Sequence, residues 1–345
     1  MAKKIGLILH KTSFIWLVIS DCYIPLHIVM KYLGEIISLG VAFSWTIAAL
    51  SSEVASRRLG VFVMNVWRMA LALCFSALLL WLFTGQCYPV WASGETWCWM
   101  LLSGVVGYFF GDWCLFNSYL TIGSRFGQLF MTLAPAFTAL GAWVMIGQTL
   151  SARSLIAMVV TLSGIAVSVM GRGEKRHLSV ALPTKGILYG LGAALGQGVG
   201  LVLSKIGLDH YVADVPVEIL PQIDYFLPFG GNLIRCVAGL ICYSAWLYAM
   251  NRRRPPSQRQ TMRDSLLDRR GLVAMLTAVV SGPFIGVGFS LMAVQYTAAG
   301  IASTIMAMTP ILILLPSYWL FRQPITLRNV VGAVISVFGV SLFFL

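Results

Sequence analysis

One acidic residue interrupts a long apolar segment and is the first candidate for chemistry. Asp112 lies near the middle of the run 98–120, and an acid at the centre of a lipid bilayer costs about 3 kcal/mol or more. We therefore expect it to face a cavity or a partner. Tyr108 and Phe116 share its helical face at i−4 and i+4, and an acid flanked by aromatic rings can bind a substrate ammonium or take up a proton for coupling. The alternative is a buried acid that is hydrogen-bonded to a neighbouring helix.

Four further charged residues lie near the ends of apolar segments and are candidates for gating or charge pairs. Arg68 and Arg235 each lie about two turns into a segment, so we expect their side chains to snorkel to the lipid headgroups. We predict that Glu53 pairs with Arg68 when one face of the protein closes. Lys205 cannot pair with Arg235 and needs an acid such as Asp209.

The sequence carries no pattern for a metal, a cofactor or catalysis. Its seven cysteines are scattered without a CxxC pair and its four histidines are isolated, so we expect no metal site. There is no GxSx serine with a histidine in another helix, no HExxH motif, no pair of mid-segment aspartates and no P-loop. We therefore expect a protein that is not an enzyme, has no cofactor and does not use ATP directly.

Composition defines the class of protein. Of 345 residues, 59% are hydrophobic and 10% are charged, against about 45–50% and 25% in soluble domains. A spanning helix needs about 20 apolar residues. Lipid offers the backbone no hydrogen bonds, so an open strand or loop cannot span the bilayer. We predict an all-α polytopic membrane protein with ten transmembrane helices. Numbered 1 to 10, they lie at about 34–54, 60–83, 98–120, 124–146, 153–170, 184–207, 229–250, 271–291, 297–321 and 325–345.

An N-terminal extension, residues 1–33, precedes these helices. Lys3, Lys4 and Lys11 come before a short apolar stretch, as in a signal peptide, but no cleavage site follows. Either residues 13–30 form an extra, poor helix or translation begins at Met30.

The charged loops predict the orientation. Loops after helices 1, 3, 5, 7 and 9 are basic, with a cluster at 252–270, whereas the loop 209–228 is acidic. The positive-inside rule places the basic loops, and with them the linker 171–183, in the cytoplasm. Topology and contact with anionic lipids account for the formal net charge of +12, so we expect no nucleic-acid partner.

The chain also repeats itself. Residues of the first half recur in the second half at offsets of 152, 167 and 175. We therefore predict two copies of a five-helix unit, at 34–170 and 184–345. Because five is odd, the second copy is inverted in the membrane, which lets two halves alternately expose a shared site. The identical pairs include Arg68 and Arg235, Gly107 and Gly282, Gly111 and Gly286, Pro135 and Pro310, and Gly164 and Gly339. The offset of 152 also places Trp45 and Gln197 at equivalent positions.

Several matched positions gain a role from this duplication. Trp45 and Gln197 both lie mid-span, where they either line a shared cavity or pack against neighbours. Arg68 and Arg235 should lie at opposite membrane faces. Prolines inside helices 4 and 9 free a backbone carbonyl and can kink the helix. Glycines at small-x-x-x-small spacing let helices pack closely and slide. The prolines are Pro135 and Pro310, and the glycines are Gly107, Gly111, Gly282 and Gly286.

These residues resemble the drug/metabolite transporter superfamily, specifically proteins with two EamA domains. The resemblance covers about 34–345 and includes the short turns before Arg153 and Arg328. It implies ten helices, a central cavity lined mainly by helices 1, 3, 4, 6, 8 and 9, and export or exchange of small polar metabolites. The family's Gly-Glu-Arg after helices 4 and 9 is replaced by Gly147-Gln148-Thr149 and Arg322-Gln323-Pro324.

We therefore predict a secondary transporter that exports or exchanges a small polar metabolite, such as an amino acid, by alternating access. We expect it in the bacterial cytoplasmic (inner) membrane. The alternative is a membrane scaffold, or a subunit of a larger complex, without transport activity.

Overall fold

The computed structural model of the chain describes residues 32–147, 151–172, 178–180, 182–255, 258–296, 305–322 and 325–342. The candidate extra helix at 13–30 lies outside the described residues. So do Gln148, Thr149, Gln323 and Pro324, which hold most of the two predicted departures from the family pattern.

Ten apolar helices follow one another along the described residues. They are α1 (Leu33–Leu59), α2 (Val61–Thr84), α3 (Gly94–Ile122), α4 (Ser124–Ile146), α5 (Ala152–Val169), α6 (Thr184–Asp214), α7 (Leu220–Arg253), α8 (Arg269–Val279, Val280–Gly286 and Val287–Tyr296), α9 (Thr309–Phe321) and α10 (Leu327–Leu342). In the described part of the chain, seven of them are long and apolar enough to cross a membrane, while α5, α9 and α10 are shorter apolar helices. The prediction of a helical polytopic membrane protein is confirmed.

Two of the long helices contain a stretch of π-helix at matched places. In α3 it covers Gly104–Gly111, and in α8 it covers Val280–Gly286. Each stretch holds one of the predicted glycine pairs. π-Helical stretches are rare overall, and those that occur often lie at functional sites. This level of α3 and α8 is therefore a candidate functional region.

The two prolines of the repeat each follow a break in a helix. The helical pattern of α4 is interrupted at Thr132 and Leu133, just before Pro135. Pro310 likewise lies in the first turn of the segment Thr309–Leu312, after two turn residues. A proline fits the first turn of a helix because the N–H that it lacks would have no partner there. The break thus lies within α4 and directly before α9, beside the two prolines at which the sequence predicts a kink.

The predicted linker contains a short antiparallel hairpin that the sequence did not indicate. Met170–Arg172 pairs with Leu178–Val180, and Met170 lies opposite Val180. Strands of three residues are too short to show the alternating pattern on which sequence prediction depends.

The helices pack in antiparallel pairs that combine the two halves of the chain. Near one end of α2, Phe62 stacks on Trp246 of α7, with ring centroids 6.3 Å apart. Near the other end, Phe83 stacks on Phe226 at 4.8 Å. α5 and α10 pack through glycines, since a Cβ on Gly332 would lie 2.6 Å from Gly164 O.

Polar contacts join the connections at each end of the bundle. Arg58 Nε lies 2.9 Å from Asp268 Oδ2, and Asp268 also accepts a hydrogen bond from Gly271 N at 3.0 Å. The Gly271 N–H and the Arg58 guanidinium lower the pKa of Asp268, so this carboxylate is ionised at neutral pH. At the opposite end, Thr96 Oγ1 donates to Asp214 Oδ2 at 2.7 Å.

Candidate functional site

A buried ion pair joins α2 to α3. Arg68 Nη2 donates a hydrogen bond to Asp112 Oδ2, and the two residues are only 7% and 4% exposed. Pairing offsets the cost of removing both charges from water. The prediction that Arg68 snorkels to the headgroups is therefore wrong, because Asp112 provides a partner inside the bundle.

Two amide side chains complete this contact. Gln197 Nε2 of α6 donates to Asp112 Oδ1 at 2.8 Å and to Gly107 O at 3.2 Å. Arg68 Nε donates to Asn65 Oδ1 at 3.1 Å. Of the two interpretations of Asp112, the structure shows the acid hydrogen-bonded to its neighbours, and Arg68 balances its charge. We call Asn65, Arg68, Asp112 and Gln197 the polar cluster.

Aromatic rings flank the cluster at the spacing seen in the sequence. The guanidinium carbon of Arg68 lies 4.9 Å from the ring centroid of Phe116 and 5.9 Å from that of Tyr108. Both rings are buried. In this structure they therefore contact a guanidinium of the protein itself, at the place where the sequence suggested a substrate ammonium.

Tyr108 is held at its hydroxyl and at its backbone. Its Oη donates to Asn232 Oδ1 of α7, and its carbonyl oxygen accepts a hydrogen bond from Tyr243 Oη at 2.9 Å. This carbonyl lies in the π-helical stretch, and Tyr243 provides it with a donor. Sequence reasoning missed Asn65, Asn232 and Tyr243 as site residues. A signal for the two asparagines is present in the sequence, because each lies three residues before a matched arginine, Asn65 before Arg68 and Asn232 before Arg235.

Arg235 contacts the same ring as Arg68. Its guanidinium carbon lies 4.3 Å from the ring centroid of Tyr108. The prediction that the two arginines lie at opposite membrane faces is therefore wrong. α2 and α7 run antiparallel beside one another. Because α7 begins at Leu220, Arg235 lies about four turns into it and not two, so the two long side chains start at neighbouring levels and both reach the ring of Tyr108.

The Glu53 carboxylate accepts a hydrogen bond from the N-terminus of α4. This fully buried residue accepts hydrogen bonds from Arg57 Nη2 at 2.8 Å and from Ser124 N at 2.7 Å. Ser124 begins α4, and the first N–H groups of a helix have no partner within it. The predicted pair of Glu53 with Arg68 is wrong, because each residue has a nearer partner of its own.

Lys205 forms the pair that its position suggested. Its Nζ lies 2.9 Å from Asp209 Oδ2, one turn further along α6, and both side chains are mostly exposed. At the offset of 152 residues, Lys205 and Asp209 correspond to Glu53 and Arg57 with the charges reversed. The two pairs are therefore local contacts near the ends of α1 and α6.

Glycines let α3 and α6 approach closely around the cluster. A Cβ on Gly196 would lie 2.6 Å from Gly111 Cα, and a Cβ on Gly200 would lie 2.9 Å from Gly107 Cα. These distances are too short for any side chain. The close approach is what allows Gln197 to reach the Asp112 carboxylate.

α1 and α8 make the corresponding contact through a side chain at one glycine and more loosely at the other. Gly286 packs against the indole of Trp45, whereas a Cβ on Gly282 would lie at an ordinary 3.5 Å from Ala48 Cβ. The matched residues Trp45 and Gln197 therefore differ in role: Gln197 belongs to the polar cluster, and Trp45 packs on α8. Among the described residues, no three His, Cys, Asp or Glu side chains are grouped to hold a metal ion.

Comparisons with known proteins agree with this architecture. A sequence profile of the EamA-like transporter family matches residues 32–170 and 184–345. No curated protein matches the sequence significantly. A solved crystal structure aligns with 91% of this chain and 96% of its own chain, at a TM-score of 0.57 and 14% identity, which shows likeness of fold. The chain thus belongs to the EamA-like transporter family and is a multi-pass membrane protein of the drug/metabolite transporter superfamily.

Proposed function

We propose that this protein is a secondary transporter that exports or exchanges a small polar metabolite by alternating access around the polar cluster. The proposal rests on one observation: each of these helix contacts between the two halves occurs twice, once in each orientation of the sequence repeat. Inverted repeats that enclose one site can exchange conformations and so turn the site from one side of the membrane to the other.

The duplicated contacts follow the offsets of the sequence repeat. Each contact joins the two halves and has a counterpart in which one partner is 175 residues later and the other is 152 or 175 residues earlier. A pseudo-two-fold axis relating two five-helix units accounts for all of them. The counterparts are Gly111 with Gln197 and Gly286 with Trp45, Gly107 with Gly200 and Gly282 with Ala48, and Gly164 with Ser336 and Gly339 with Thr161.

The polar cluster is closed in this structure, since Asp112 is 4% exposed. Contacts between the two halves join them at both ends of the bundle, through Arg58 with Asp268 and Glu95 with His210. Transport requires one end to separate while the other stays joined. The breaks before Pro135 and Pro310 and the two π-helical stretches are the places where the helices can bend.

We further propose that the ends bearing the basic loops face the cytoplasm, in contact with anionic lipids of a bacterial inner membrane. The charge asymmetry between the cluster 252–270 and the loop 209–228 supports this orientation.

An accumulation screen tests the function. Cells that express the wild-type chain, the Asp112→Asn variant or the matched exposed variant Asp209→Asn are loaded with a panel of labelled polar metabolites at several pH values. We expect the wild type and Asp209→Asn to lower the accumulation of at least one metabolite and Asp112→Asn to lose this effect. A wild-type protein that moves none of them at verified membrane abundance contradicts transport. Normal transport by Asp112→Asn at every pH contradicts a role of the polar cluster in it.

A further inference from the structure

Within the part of the chain that the structure describes, Arg235 forms no ion pair with an acid. It is half-buried in α7, and its Nε is shielded from solvent without a hydrogen-bond partner. Within the described residues, the guanidinium contacts one aromatic ring and no charged group. Its carbon atom lies 4.3 Å from the ring centroid of Tyr108. An arginine cannot lose its proton in a protein, so the positive charge persists.

The repeat shows which position of the second half lacks the acid that pairs with an arginine in the first half. Arg68, the counterpart of Arg235, pairs with Asp112. At the offset of 175 residues, the position that corresponds to Asp112 in the second half is Val287. Two arginines and one aspartate therefore meet around Tyr108, and the site keeps one excess positive charge. Excess charge within the membrane is costly and marks a functional position.

We infer that Arg235 binds an oxyanion, a carboxylate or a phosphate, of the transported solute. This inference rests on the proposed function and adds a substrate class to it. The planar fork of a guanidinium matches both groups with two parallel hydrogen bonds. The stacked ring of Tyr108 positions the fork, and Gly107 leaves room for it, since a Cβ there would lie 2.9 Å from Arg235 Nη2.

Thermal unfolding of the purified full chain in neutral detergent tests the inference. The probes are inorganic phosphate, acetate, succinate, citrate and glutamate, each against chloride at equal ionic strength. The matched control is Arg252→Gln, because Arg252 lies on the same helix with its guanidinium carbon 4.7 Å from the ring of Tyr248 but is exposed. We expect at least one probe to raise the Tm of the wild type and of Arg252→Gln. Its apparent Kd should rise at least about tenfold in Arg235→Gln.

The unliganded Tm shows whether Arg235 is structural. Because Arg235→Gln removes an unbalanced charge, its Tm without probe should equal or exceed that of the wild type. The inference is overturned if Arg235→Gln lowers the Tm, Arg235→Lys restores it, and no anion raises the Tm of the wild type. Equal anion protection of wild type and Arg235→Gln overturns it as well. Protection by phosphatidylglycerol alone overturns it too, because the oxyanion then belongs to a lipid.

Flux measurements separate this inference from the proposed function. Anion protection that depends on Arg235, in a protein that moves no solute in liposomes, supports the anion site and contradicts transport. Flux of neutral or cationic solutes that Arg235→Gln leaves unchanged supports transport and contradicts the anion site.

Discussion

Replacing Asp112 with alanine is expected to destabilise the protein by about 3–5 kcal/mol, the usual cost of removing one partner of a buried ion pair. Arg68 is 7% exposed, so the variant leaves its charge inside the bundle without a carboxylate. Gln197 loses its acceptor at 2.8 Å as well. The effect is measured as a fall in Tm and in the yield of monodisperse protein after extraction.

Two further variants make this result specific. Asp209→Ala removes an acid from an exposed pair with Lys205, and we expect a change of at most about 1 kcal/mol. The double variant Arg68→Met with Asp112→Leu removes both buried charges and should recover most of the lost stability. If Asp112→Ala is as stable as Asp209→Ala, the ion pair does not hold α2 against α3.

Replacing Gly196 with alanine is expected to separate α3 from α6. The new Cβ would lie 2.6 Å from Gly111 Cα and 3.0 Å from Val106 O, and backbone atoms cannot turn away as a side chain can. Overpacking of this kind costs about 1–3 kcal/mol. It also pulls Gln197 from Asp112, so we expect loss of transport together with a lower Tm.

Gly40→Ala is the matched control, because no atom outside its own helix lies within 4 Å of a Cβ at that position. Alanine is the better helix former, so this variant should transport normally and be as stable as the wild type or up to about 1 kcal/mol more stable. Equal behaviour of Gly196→Ala and Gly40→Ala would show that the close approach of α3 and α6 has no part in the function.

The sequence was sufficient for features that depend on one segment at a time. A bilayer requires apolar helices, so a helical polytopic membrane protein follows from the apolar runs, and the helix breaks beside Pro135 and Pro310 follow from single residues. The face shared by Tyr108, Asp112 and Phe116 follows from helical spacing alone. These are local properties of the chain.

Partners across helices could not be predicted in the same way. The sequence predicts headgroups or Glu53 as the partner of Arg68, because nothing in it shows that α3 brings Asp112 to this arginine. Glu53 binds the N–H of Ser124, and a free backbone donor has no signature in residue type. The π-helical stretches and the three-residue strands also leave no periodic pattern.

Cross-linking the two ends of the bundle separately is the most direct test of two halves that open in turn. In a cysteine-free background, one variant carries cysteines at Arg58 and Asp268, whose charged atoms lie 2.9 Å apart. Because cysteine is shorter than either side chain of such a pair, each cysteine pair is joined by a reducible bis-methanethiosulfonate linker and not by a direct disulfide. A second carries them at Glu95 and His210, which lie 3.4 Å apart, and a control carries them at Lys205 and Asp209 within α6. In liposomes, the account predicts that a cross-link between the two halves at either end stops solute flux and that reduction restores the flux. The control cross-link within α6 should have no effect. Undiminished flux with either end held shut would contradict the account.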